Sequence, residues 1–356
     1  MKYLCIDKKS ISHFITISVC FSAGILLVVF SDEIKEEIIS AVHSCVNVII
    51  PCVFPMLFIS CFLTEYGFSD GLKRKAEKIT KRLFGLSGAC LEAMVTGLTT
   101  GYVSAVKGAE ILYKNNKISS AEAKRLALFF SNPGISFTVI FFGGMLCNSV
   151  FYGIKLYFIS ASVNVLSAAV YNLINKNTSF CRYEKKKNSA LSSFTKACEI
   201  SSASIIRICF SIIIFSAIQV ILTRLADATP LSVLIKLAGE VSSAIIYSTE
   251  NYSVVVSFFV LQYGGFCILL QVTEGLKNIE IKPSAYLIIR LILSFTSSAF
   301  LYVLSPVFPL PVICITDKTV ISFSTNSLTG IFSLLLLCFV YLYSVRGIRR
   351  NFSKRQ

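Results

Sequence analysis

The chain has 356 residues, 54% of them hydrophobic and only 15% charged, with a mean hydropathy of +0.73 and a formal net charge of +15. That composition excludes an ordinary soluble domain. The excess charge does not indicate nucleic acid, because Lys and Arg lie in short stretches between apolar runs, where they act as topology signals. Thirteen Cys are scattered without a C-x-x-C pair and only two His accompany them. They read as reduced apolar residues, so neither a metal site nor a cofactor is expected.

Taken in chain order, Lys2, Lys8 and Lys9 precede an apolar run over about residues 11–30, which reads as an uncleaved first helix because no small-x-small site follows it. An acidic stretch, Asp32, Glu33, Glu36 and Glu37, is expected as an outer loop. A second span, over about residues 39–66 and bent at Pro51 and Pro55, returns to the basic stretch from Lys73 to Arg82. That stretch, from Leu72 to Phe84, interleaves Lys and Arg with Ile79, Leu83 and Phe84, as a helix lying on an anionic leaflet would. Residues 86–106 are apolar but flanked on both sides by basic residues, which predicts a re-entrant hairpin. A span from about Ala121 breaks at Asn132-Pro133-Gly134 and continues to Cys147, and residues 150–174 cross back to a basic linker.

The pattern then repeats. Residues 199–222 cross, residues 231–247 form a second hairpin, and residues 254–272 cross through a break at Tyr263-Gly264-Gly265. Residues 285–304 and 320–343 complete the series, the latter leading into a basic tail. The expected fold is an all-α polytopic membrane protein with about eight transmembrane helices and two re-entrant hairpins, its halves forming an inverted repeat, and with both termini cytoplasmic. Such a repeat is the usual basis of alternating access.

Unpaired backbone groups are costly in hydrocarbon, so paired breaks point to a site where protein, water or a ligand satisfies them. The candidate substrate-binding residues are Asn132 and Gly134 at the first break, Gln262 and Gly264 at the second, and Thr100, Glu240 and Ser243 in the hairpins. For Asn132 and Gln262 the alternative is that each amide caps its own broken helix. A carboxylate such as Glu240 in an apolar segment costs roughly 2.5–3.5 kcal/mol unless partnered; Arg207 is its candidate partner, and the alternatives to a substrate or coupling-ion role are a structural ion pair or an interfacial Glu240 with a snorkelling Arg207. Arg290 is expected to snorkel toward the cytoplasmic face, and Gln271 either lines a vestibule or bonds a neighbouring helix. No nucleophile elbow, H-E-x-x-H or phosphate loop is present, so an enzyme is not expected.

Several motifs together carry a family resemblance. Thr99-Thr100-Gly101-Tyr102, Lys107-Gly108-Ala109-Glu110, Ser119-Ser120-Ala121-Glu122 with Arg125-Leu126, and Ser131-Asn132-Pro133-Gly134 are similar to the first half of the YlbJ family of sporulation integral membrane proteins. Glu240-Val241-Ser242-Ser243 and Tyr263-Gly264-Gly265-Phe266 resemble its second half. Where that family has Pro after the Gly-Tyr pair and Gly two residues later, this chain has Val103 and Ala105.

The resemblance implies two nucleoside-recognition (Gate) repeats, over residues 39–175 and 196–305. An N-terminal helix and acidic loop (1–38), a basic linker (176–195) and a C-terminal helix with its tail (306–356) would flank or join them. It also implies a role in endospore formation at the cell membrane, of forespore or mother cell. The expected function is a secondary transporter of a small polar, nucleoside-like solute; the alternative is a non-transporting scaffold for spore coat or cortex. The implied partners are the lipid bilayer, such a solute and a coupling ion, with a homo-oligomer left open and no nucleic acid.

Overall fold

In the computed structural model the chain is described over residues 8–175, 189–226 and 229–305, and every element among them is helical. The expected basic linker and last span, residues 320–343, lie outside the described residues. Among the described residues four helices are long and apolar enough to cross a membrane: Val150–Ile174, Ala190–Leu225, Val254–Asn278 and Pro283–Leu304. Their outward faces carry exposed Phe158, Leu166, Phe210, Ile214, Phe295 and Val303. Large apolar side chains left uncovered over this much surface are the mark of a membrane-embedded protein.

The chain enters through α1 (Lys8–Val29), and α2 (Ser31–Ser44) follows after a single intervening residue. The acidic stretch is therefore helical and not the expected outer loop. Asp32 and Glu33 occupy the first turn of α2, where the helix dipole favours carboxylates. A π turn at Cys45–Ile49 leads into α3 (Ile50–Tyr66), which has Pro55 in its interior. The basic amphipathic segment forms α4 (Asp70–Phe84), closed by Gly85 in the left-handed region and bent by 98° from the helices that follow. Ile79 and Leu83 remain exposed on it.

Two pairs of short helices fold back on themselves. α5 (Leu91–Thr100) turns at Gly101 into α6 (Tyr102–Lys114), and α10 (Pro230–Ala238) turns at Gly239 and Glu240 into α11 (Val241–Asn251). The first pair is tightly apposed. A Cβ on Gly97 would lie 2.8 Å from the Cβ of Ala105, and one on Gly108 would lie 3.2 Å from that of Ala93.

Two longer helices are interrupted. α7 (Ser120–Phe129) gives way at Ser131-Asn132-Pro133-Gly134 to a π-helical segment, Ser136–Leu146, which packs on α8 (Val150–Ile174). Beyond α9 (Ala190–Leu225), α12 (Val254–Tyr263) ends at Gly264, φ 81°, and α13 (Gly265–Asn278) begins at once. α14 (Pro283–Leu304) follows.

Packing exchanges the two halves. One core joins α5, α6 and α7 to α13, and a second joins the π segment and α8 to α11, α12 and α14.

The motif residues of the first half tie the basic end together. Ser119 and Glu122 form a reciprocal cap on α7, and the same carboxylate accepts the Ser87 N–H at 2.8 Å. Arg125 donates to the Phe84 carbonyl at 2.9 Å and to Asn172 Oδ1 at 2.7 Å. Glu110 accepts from Lys107, Lys114 and Asn278 at 2.9, 2.6 and 2.7 Å, which joins α6 to α13.

The crossing of the π segment and α8 relies on glycine. A Cβ on Gly153 would lie 2.7 Å from the Val139 carbonyl oxygen and 2.8 Å from its Cα, both backbone atoms that cannot turn aside. Gly153→Val is therefore expected to destabilise the protein by about 1–3 kcal/mol, read as a lower thermal midpoint in detergent. Gly24→Val, at a position with open space around it, leaves the midpoint unchanged.

Candidate functional site

The first break is stitched to its surroundings by Asn132, which is fully buried. Its N–H donates to the Gly97 carbonyl at 3.4 Å, and its Nδ2 donates to the Pro133 and Leu98 carbonyls at 3.1 and 3.4 Å. Its Oδ1 accepts from Asn164 Nδ2 at 2.6 Å and from the Ser160 hydroxyl, both on α8. This amide is thus occupied in holding break, hairpin and α8 together.

The second break abuts the other hairpin. The Cys267 N–H donates to the Gly239 carbonyl at 3.2 Å, and a Cβ on Gly265 would lie 2.7 Å from that oxygen, so the approach requires glycine.

Arg290 joins the two breaks. It is 1% exposed, far from the expected snorkelling position, and donates from Nη1 to the Ser131 carbonyl at 2.5 Å and from Nη2 to the Gln262 carbonyl. The guanidinium carbon lies 4.6 Å from the centroid of the Tyr102 ring, and the Tyr102 hydroxyl donates to the Leu261 carbonyl at 2.6 Å. A cation at the C-terminal ends of α7 and α12 offsets their negative dipole ends and takes up carbonyls that the breaks leave open. The Gln262 side chain is fully buried beside it, and neither amide atom has a hydrogen-bond partner among the described residues.

Glu240 is also buried, at 1% exposure, but Arg207 is not its partner. Its carboxylate caps α11, accepting from the Ser242 and Ser243 N–H groups at 2.9 and 2.8 Å and from the Ser243 hydroxyl at 2.9 Å. Arg207 instead pairs with Glu274 at 2.9 Å on the exposed surface, where both side chains stay solvated.

A cavity of about 90 Å³ lies where the four breaks and turns meet. The first turns of α6, the π segment, α11 and α13 all line it, through Gly101 to Ser104, Ser136 and Phe137, Glu240 to Ser242, and Cys267 and Ile268. Of the residues expected at the site, Thr100, Gly134 and Glu240 reach this cavity. Asn132, Gln262, Gly264 and Ser243 do not line it.

Val103, Ile208 and Gln271 are shared with a larger cavity of about 440 Å³ lined by Glu65, Lys107, Glu110, Lys196, Glu199, Arg207 and Glu274. Gln271 sits between the two, its Nε2 donating to Cys267 Sγ on its own helix at 3.3 Å.

Sequence reasoning missed Arg290 and Tyr102 as the link between the breaks, and Ser242 as a lining residue. An arginine eight residues into an apolar helix was the available signal, but the same distance from a helix end fits snorkelling.

Compared with known proteins, the chain matches no protein-family model, no curated protein and no solved structure.

Because Asn164 Nδ2 and the Ser160 hydroxyl lose their acceptor in Asn132→Leu, that change is expected to cost about 1–3 kcal/mol for each buried group left unpaired. The double variant Asn132→Leu, Asn164→Leu recovers part of the loss, since removing both partners is less costly than stranding one. Thermal unfolding in detergent of the single and double variants checks both statements.

Proposed function

We propose that this chain is a multi-pass permease of the cell membrane that moves a small polar solute by alternating access. One observation carries the reading: four helix N-termini, from two hairpins and two interrupted helices, line one cavity that meets a larger charged vestibule. Interrupted backbone survives inside a bilayer only where it is buried in protein or lines such a cavity, and midplane sites built from half-helices are the pattern of secondary transporters.

Helix lengths support this placement. A ten-residue limb such as α5 rises about 15 Å, half of a hydrocarbon core of about 30 Å. In this reading the two hairpins are re-entrant and enter from opposite faces, and residues 39–175 and 196–305 form inverted repeats. Eight spans result when residues 320–343 cross, with both termini on the basic, cytoplasmic side. The exposed apolar residues of α4 rest on the anionic leaflet there.

The buried polar groups suit recognition and gating, so the chain is read as a carrier and not an enzyme. The resemblance to YlbJ sporulation proteins supplies the cellular setting, a forespore or mother-cell membrane. A second reading, a scaffold for coat or cortex assembly that conducts nothing, is favoured by Val103 and Ala105 where that family has Pro and Gly.

The test is deletion of the gene in its sporulating host, followed by restoration with wild type or Ser242→Leu at equal membrane abundance. Ser242 lines the cavity without anchoring a break, so leucine there fills the space. The permease reading expects the wild type to restore heat-resistant spores and the variant to fall short by about tenfold or more, the effect of roughly 1.4 kcal/mol of lost binding. Equal rescue by both favours the scaffold.

A further inference from the structure

The described residues include seven free cysteines, and two of them from distant parts of the chain meet in the fold. Cys45 opens the π turn that joins α2 to α3, and Cys209 lies near the middle of α9, 164 residues later. The Cys45 thiol donates to the Cys209 carbonyl at 3.9 Å, which makes the two residues immediate neighbours, and their side chains interact directly. Both take part in one apolar cluster with residues of α3, α9 and α13.

Their exposures differ in the way a reactive pair needs. Cys45 is 3% exposed, and a thiol enclosed that fully by apolar neighbours is inert by itself. Cys209 is only partly covered, on the flank of α9 beside the exposed Ile206 and Phe210, where a small reagent dissolved in the bilayer reaches it. An accessible thiol next to a shielded one is the arrangement of an oxidised cysteine with its resolving partner. Other buried cysteines are engaged elsewhere: Cys90 contacts Ser87 and Glu122, and Cys267 accepts from Gln271 Nε2.

We infer that Cys45 and Cys209 form a modification site, oxidised to a disulfide by an organic hydroperoxide dissolved in the membrane. The Cys209 sulfur attacks the terminal peroxide oxygen, the O–O bond breaks, and the thiol proton passes to the leaving alkoxide, so that Cys209 becomes a sulfenic acid. The Cys45 sulfur then attacks the Cys209 sulfur, the S–O bond breaks, and the departing hydroxide takes the Cys45 proton as water. Two thiols and one hydroperoxide give one disulfide, one alcohol and one water, and the peroxide accepts the two electrons that the thiols lose. The bond ties the π turn to α9. Ile49 and Val53 on one side and Ile208 and Ile212 on the other line the small cavity, so the disulfide fixes two of its walls against each other. The inference is independent of the permease reading, since the bond forms whatever the protein moves.

The test uses the full chain in lipid nanodiscs, treated with cumene hydroperoxide, alkylated without reduction, digested and mapped by mass spectrometry. A linked pair of peptides carrying Cys45 and Cys209 is expected as the predominant cross-link, and dithiothreitol removes it. The link is lost in Cys45→Ala and in Cys209→Ala, whereas Cys267→Ala keeps it. In Cys45→Ala the Cys209 sulfenic acid has no resolving thiol, so dimedone labels Cys209 above the level in the wild type. Should an alanine variant fail to fold, the wild-type map decides. No link between Cys45 and Cys209, a predominant link between any other cysteines, or dimedone labelling of Cys45 in place of Cys209 overturns the inference. The spore-rescue comparison with Ser242→Leu is untouched by any of these results, so the two readings fail separately.

Discussion

A polypeptide that interrupts its helices inside an apolar body must find partners for the freed amides and carbonyls, and in this protein that requirement converges on Arg290. Both interrupted helices, α7 and α12, direct carbonyls at one buried guanidinium that rests against the Tyr102 ring. A buried cation is itself costly without compensation. It is compensated here by two helix C-termini and by the aromatic face, so the charge and the breaks stabilise each other. Asn132 secures the first break to α5 and α8, while Gly239 and Gly265 bring the second hairpin against the second break.

The remaining helix ends have the opposite sign. Carbonyl ends are taken up by Arg290, Tyr102 and Asn132, while four N-terminal first turns face the cavity with Glu240 as their single carboxylate. The protein thus separates its helix dipoles, with negative ends in the packed interior and positive ends toward the cavity. The charged vestibule adjoins that space through Val103, Ile208 and Gln271.

Much of the helical framework was legible in the residues. Pro133 with Gly134, and Gly264 with Gly265, mark the interruptions because neither pair sustains a regular helix, and the span over residues 150–174 coincides with α8. The turn at Gly101 follows from a glycine at φ 122°. Two readings failed because the partner a buried or charged side chain takes is set by the folded arrangement and not by composition. Arg290 reaches Ser131, 159 residues away; Arg207 turns to Glu274, while Glu240 is consumed by its own helix cap. The acidic stretch from Asp32 to Glu37 reads as a loop by composition, yet carboxylates in a first turn favour the helix it forms. The place of Ser242 on the cavity had no sequence signal, since small hydroxyl residues pack throughout membrane helices.

The central claim is that Arg290 holds both breaks as one unit, and amide hydrogen exchange in lipid nanodiscs tests it most directly. Comparing the wild type with Arg290→Leu, the account predicts faster exchange in the variant at residues 130–135 and at residues 261–266 together, with α8 and α9 unaffected. Faster exchange at only one of the two segments, or at neither, would contradict it.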